Sequence, residues 1–127
     1  MSRAIKFRGK NHMDKRWYYG SLLESANGTF IDGVDSFNFI DKETVGQFIG
    51  KEDFNGAEVY DGDVLKGCFE LDGEVPETFI LVVWDDELCG FACREKGGTA
   101  PGEISYIEEY EVVGNIHDNP ELAEMFK

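Results

Sequence analysis

The sequence has no apolar run long enough to cross a bilayer as a helix. Its longest, Phe79-Ile80-Leu81-Val82-Val83-Trp84, falls far short of the roughly twenty residues such a span needs. The stretch from Met1 to Lys10 alternates charge with apolar residues and has no hydrophobic leader segment, so neither a signal peptide nor a membrane association is expected. Cysteine is scarce. Cys68, Cys89 and Cys93 are odd in number and irregular in spacing, which excludes a disulfide framework and points to the cytoplasm. Positive charge is scarce too, with 12 Lys and Arg against 26 Asp and Glu, a net charge of -14 and a pI near 4.4. A field of that sign repels a phosphate backbone, so direct nucleic-acid binding is disfavoured. Its simplest use is to keep the chain soluble.

Several chemical signatures are also missing. There is no nucleophile elbow, and Gly97-Gly98 lacks the lysine and helix that a phosphate-cradling loop needs. No calcium-loop spacing is present. Cys89 and Cys93 are four apart, which on one strand separates them by about 13 Å, too far to bridge or share a metal. Buried thiols on a core face account for them better than zinc, with Cys68, His12 and His117 remote in sequence. A Cys-His pair drawn from these residues has no geometry to support it.

What the chain does have is apolar and aromatic content: 42% hydrophobic, with 10 Phe and 5 Tyr in 127 residues. That suffices for one folded domain, with possible halves at 1–50 and 51–118 and a helical tail at 119–127. The patterning is mainly β. Ala4 to Arg8 predicts a short strand with Ile5 and Phe7 on the buried side and Lys6 and Arg8 outside. Trp17 to Leu23 and Thr29 to Ile31 predict a hairpin about Asn27-Gly28, a pair suited to positive φ. Phe37 to Ile40 and Val45 to Gly50 follow as strands, with Asp41 to Thr44 as loop. Val64 to Leu71 and Thr78 to Trp84 predict longer strands. Leu88 to Arg94 alternates, with Cys89, Phe91 and Cys93 on one face. Gly97 to Gly102 reads as a loop, and Ile104 to Ile107 resumes order. Val112 to Ile116 is a last strand. Asn119 then offers a helix N-cap before Pro120, and Leu122, Met125 and Phe126 share one face of the short helix.

Between these strands lies the densest turn signal in the chain. Asn55-Gly56 suits a tight hairpin, Gly62 a second left-handed position, and the Asp63 carboxylate can accept amides as the next strand begins. These residues therefore read as framework.

Three segments carry a family resemblance: Glu43-Thr44-Val45-Gly46-Gln47-Phe48-Ile49-Gly50, Asp53-Phe54-Asn55-Gly56, and Val59-Tyr60-Asp61-Gly62-Asp63-Val64. Together with Ile5 to Lys10, Trp17 to Gly20 and Tyr110 to Leu122, they resemble the YopX family of phage and prophage proteins. The resemblance implies a single mainly β domain with an SH3-like barrel part, a bacterial host cytoplasm, and a tendency to oligomerise. It implies no catalytic set, no assigned activity and no cofactor.

The expected function is therefore a non-enzymatic, homo-oligomeric binding or structural module, whose partner is itself or an unidentified host or phage protein. Trp17, Tyr18 and Tyr19 cannot all face one core, because successive strand residues point to opposite sides. With Phe126 on the dockable tail, they are the interface candidates. Two alternatives remain open: a metal-dependent hydrolase or nuclease using Asp61, Asp63 and Asp85-Asp86-Glu87, and an acidic DNA mimic occupying a host protein.

Overall fold

The computed structural model describes residues 4–33, 36–68, 70, 72–74, 77–95 and 107–127. The chain divides into two compact units, Met1–Gly50 and Lys51–Lys127. The predicted loop at 97–102 and most of the segment at 104–107 lie outside the described residues. Among those described, no helix is long and apolar enough to cross a membrane.

The first unit is built on β1 (Phe7–Lys10), β2 (Trp17–Ser25), β3 (Gly28–Asp32) and β4 (Phe37–Phe39). A 3-10 turn at Lys42–Thr44 precedes β5 (Gly46–Glu52), which runs past the unit boundary, and β6 (Glu58–Tyr60) completes a six-stranded sheet in the order β4-β3-β2-β1-β5-β6. The β2–β3 hairpin forms where the sequence places it, with Ser25 opposite Gly28. Its positive φ, however, falls on Gly28 and not on Asn27.

The core of this unit is the side of the sheet bearing Thr29, Ile31, Asn38 and Ile40, all buried. Gly9 lets it close: a Cβ there would lie 2.5 Å from Ile40 Cγ2 and 3.2 Å from Ile31 Cδ1. The first strand departs from expectation. It begins at Phe7, Ile5 is exposed, and Arg8 is buried with its guanidinium 4.6 Å from the centre of the Trp17 ring. Alternation defines two faces of a strand but not which of them is covered.

The second unit contains β7 (Asp63–Gly67), β8 (Phe79–Asp85), β9 (Gly90–Glu95) and β10 (Tyr110–Asn115), all antiparallel in the order β10-β7-β8-β9. No closed barrel forms among the described residues; both sheets are open. A short helix α1 (Pro120–Ala123) runs into a 3-10 turn at Glu124–Phe126. It brings Leu122, Met125 and Phe126 against Val64, Leu81, Phe79, Val83 and Ile116. Too short to be stable alone, the helix is held by this apolar contact. Asn119 does not cap it by side chain. Its Oδ1 instead accepts the backbone N–H of Asn115 at 3.2 Å.

Side-chain oxygens fix the turns of this unit. Gly56 (φ 82°) and Gly62 (φ 95°) take the two left-handed positions. Asp63 is fully buried and accepts the Tyr60 N–H at 2.8 Å. Asn115 Oδ1 accepts the N–H groups of His117 and Asp118, both at 2.9 Å. The most heavily used oxygens belong to Asp53. Its Oδ1 accepts Asn55 N–H at 2.9 Å and Ala57 N–H at 2.8 Å, and its Oδ2 accepts Val112 N–H at 2.8 Å from the last strand.

Candidate interaction surface

The pairing register decides which side chains of the first unit share a face. Leu23 lies opposite Phe30, and Phe30 opposite Phe39, so the three form a row across β2, β3 and β4. Phe37 lies opposite Asp32, one step along the same face. Their rings interlock: Phe30 stacks on Phe37 with centroids 5.0 Å apart and tilts against Phe39 at 5.5 Å. The Phe39 ring occupies the space that a Cβ on Gly28 would take.

This row is not covered. Leu23 is 49% exposed, Phe37 59% and Phe39 43%. Taking an aromatic side chain as roughly 200 Å², the open apolar area is on the order of 300 Å², within the about 300–600 Å² of the largest patch on a typical monomer, which is often functional. Its polar rim is ordered. His12 packs its ring edge-on to Phe39 at 5.4 Å, and its Nδ1 is 2.6 Å from Asp41 Oδ1. Lys15 Nζ donates to Asp41 Oδ2 at 2.9 Å, and these two partners hold the Asp41 carboxyl below its ordinary pKa.

Charge is distributed unequally between the units. The first holds seven Lys and Arg against six Asp and Glu; the second holds five against twenty. The aromatic row thus sits on a nearly neutral unit, while the acidity belongs to the other.

The residues singled out in the sequence are placed differently from one another. Tyr19 is exposed on β2; Trp17 and Tyr18 are half-buried. Lys10 lies 5.5 Å from the Trp17 ring centre, and the Tyr18 hydroxyl donates to Asp14 Oδ2 at 2.6 Å, which raises the pKa of the phenol. Phe126, at 4% exposure, is a core residue and not an interface anchor. The acidic groups serve turns. Asp63 binds an amide, Asp85 Oδ1 accepts Leu88 N–H at 2.8 Å, and Asp86 Oδ1 accepts the Trp84 indole N–H at 2.8 Å. Among the described residues, no group of three or more His, Cys, Asp or Glu is placed to hold a metal. The row itself went unnoticed in the sequence, although Thr29-Phe30-Ile31 and Phe37-Asn38-Phe39-Ile40 carry its signal: two strands with apolar residues on both faces.

The cysteines require a correction. All three are free, but only Cys93 is buried; Cys89 is exposed in the turn before β9, with φ 52°. Burial pushes the Cys93 thiol up to about 12, so its nucleophilic thiolate is essentially absent at neutral pH. A thiol reagent at pH 8 is expected to modify Cys89 first, leaving Cys93 unmodified until the protein unfolds. Mass spectrometry of tryptic peptides checks the order, and early labelling of Cys93 would contradict its burial.

A mainly β chain of two open sheets, with an exposed aromatic row on its first unit, is the class these features define. The family model described as YopX protein matches residues 6–124, and the chain belongs to the YopX family. It is similar in structure to protein EF1440 from Enterococcus faecalis, with a TM-score of 0.58 and 22% identity over 95% of this chain and 99% of that one. At that identity the likeness shows a shared fold. No curated protein matches.

Proposed function

We propose that this chain is a non-enzymatic structural or binding module of phage or prophage origin, acting in the cytoplasm of its bacterial host and self-associating through the aromatic row of its first unit. The observation that carries this reading is the exposure of Leu23, Phe37 and Phe39 in one continuous row with Phe30. A second copy is the occupant that fits. The first unit is nearly neutral, so it offers an ionic partner little to read, and the same row on another molecule is complementary in chemistry. Contact through the acidic unit would instead set like charges against one another.

The magnitude is modest. Two rows meeting would bury about 600 Å² of apolar surface, worth roughly 15 kcal/mol at 25 cal/mol per Å². Lost rotational and translational freedom offsets about 4–15 kcal/mol of that, and the middle of the remaining range corresponds to a dissociation constant of about 10–100 μM. Sedimentation equilibrium between about 1 and 100 μM tests the proposal. The wild type should shift from monomer to dimer across this range, and the double variant Phe37→Ser, Phe39→Ser should remain monomeric, with circular dichroism checking that it keeps its fold. A wild type that stays monomeric throughout would overturn the reading.

A further inference from the structure

The second unit carries an apolar feature of its own, at the tip of the β8–β9 hairpin. Along β8, the residues Ile80, Val82 and Trp84 share one face and lie opposite Glu95, Cys93 and Phe91 on β9. Ile80, Val82 and Cys93 are buried, but the row does not stop where the core stops. It continues to Trp84, which is 49% exposed, and the turn beyond carries Leu88 at 64%. Trp84 meets Phe91 edge-on with centroids 5.3 Å apart. Such a cross-strand pair stabilises a hairpin and accounts for the Trp84–Phe91 contact. It does not account for Leu88, nor for the half of the indole left open.

The surroundings indicate what would cover them. Asp85, Asp86 and Glu87 follow Trp84 directly. Asp86 fixes the indole through its N–H, and Asp85 fixes the turn through Leu88 N–H. The tip therefore presents an oriented indole, an exposed leucine and three carboxylates, on a unit holding twenty acidic residues against five basic ones. An anionic or acidic-peptide ligand is repelled here. A guanidinium matches every part: its plane stacks on an indole, its fork donates to carboxylate oxygens, and its weak hydration lowers the cost of leaving water.

We propose that the Trp84–Phe91 hairpin tip docks an arginine-bearing polypeptide segment, with Leu88 meeting an apolar residue beside the arginine. The field of the acidic unit steers the segment in, and the indole and leucine hold it in place. This surface belongs to the second unit and the aromatic row to the first.

The test uses the full chain and a fluorescent dodecapeptide of alternating Arg and Leu, followed by anisotropy at low and high salt. Matched peptides carry Lys or Glu in place of Arg. The Arg peptide is expected to bind at least about threefold more tightly than the Lys peptide, the Glu peptide not at all, and added salt should weaken binding. Leu88→Ser, in the turn and outside the strand ladder, and Trp84→Thr should each weaken binding by about tenfold, with Tm recorded for both. Phe37→Ser should leave binding unchanged, which separates this surface from self-association. Equal affinity of wild type and Leu88→Ser would show that net charge alone attracts the peptide and would overturn the proposal. So would equal binding of the Glu peptide, or a tip already occupied by a second copy, seen as self-association abolished by Trp84→Thr.

Discussion

Asp53→Ala is expected to lower the stability of the protein by roughly 3–5 kcal/mol, the range for removing one partner from a buried, charge-assisted network. Asp53 is 6% exposed, and its two oxygens accept three backbone N–H groups, from Asn55, Ala57 and Val112. Alanine leaves all three donors without their acceptor. Two belong to the turn at residues 53–57 and the third to β10, so one substitution loosens both ends of the second unit. Asp53→Asn separates the contributions. Its remaining carbonyl oxygen can still accept the two turn amides, while its NH2 group would face the Val112 N–H, donor against donor. A smaller loss, about 2–3 kcal/mol, is expected for Asn. Urea denaturation of the three proteins measures both values, and an alanine variant within about 1 kcal/mol of wild type would refute the account.

Gly20→Ala should be as damaging for the first unit, for a different reason. A Cβ at Gly20 would overlap the carbonyl oxygen of Asp32, and would stand 2.9 Å from its carbon and 3.0 Å from Gly33 Cα. All three atoms are backbone at the end of β3, so no rotamer change relieves the overlap. Either β2 or β3 must move, and the row of Leu23, Phe30, Phe37 and Phe39 depends on their register. A loss of more than about 3 kcal/mol is expected. Gly50→Ala is the control. Gly50 has φ 88° but nothing within 4 Å of its missing Cβ, so alanine there meets backbone strain alone, roughly 1–2 kcal/mol. Thermal melts of the two variants should differ clearly; equal Tm values would show that the contact with Asp32 relaxes easily.

Strand positions were legible in the sequence wherever turn residues bounded an alternating run. The hairpin at Ser25–Gly28, the left-handed glycines at 56 and 62, and the apolar face of the C-terminal helix all follow from local chemistry. Facing was not legible. Ile5 and Arg8 exchange the environments their polarity suggests, because the identity of a covered face is a property of the whole fold. Cys89 belongs by pattern to a strand and in fact turns the chain at positive φ, where Asp85 and Asp86 supply the bonds that shape the turn. Asp53 precedes Asn55-Gly56 as a turn-forming aspartate should, and its two turn bonds are the kind a sequence can suggest. Its third bond, to Val112, spans 59 residues and leaves no local trace. The aromatic row has the same origin: neither Phe30 nor Phe39 stands out until their strands lie side by side.

That 59-residue bond also sets an order of events during synthesis. Phe54 N–H reaches Tyr110 O at 2.7 Å and Cys68 N–H reaches Glu109 O at 2.8 Å, so the last strand closes contacts that begin at the unit's start. The hairpin ladders of β1 to β4 lie within the first fifty residues and can assemble while the rest of the chain is still being made. The cluster of Val64, Leu81 and Phe126 cannot form until the C-terminal residues have left the ribosome, and closing so long a loop is slow. For that interval, the sixteen acidic residues of the second unit that precede β10 favour the separation of nascent chains by mutual repulsion.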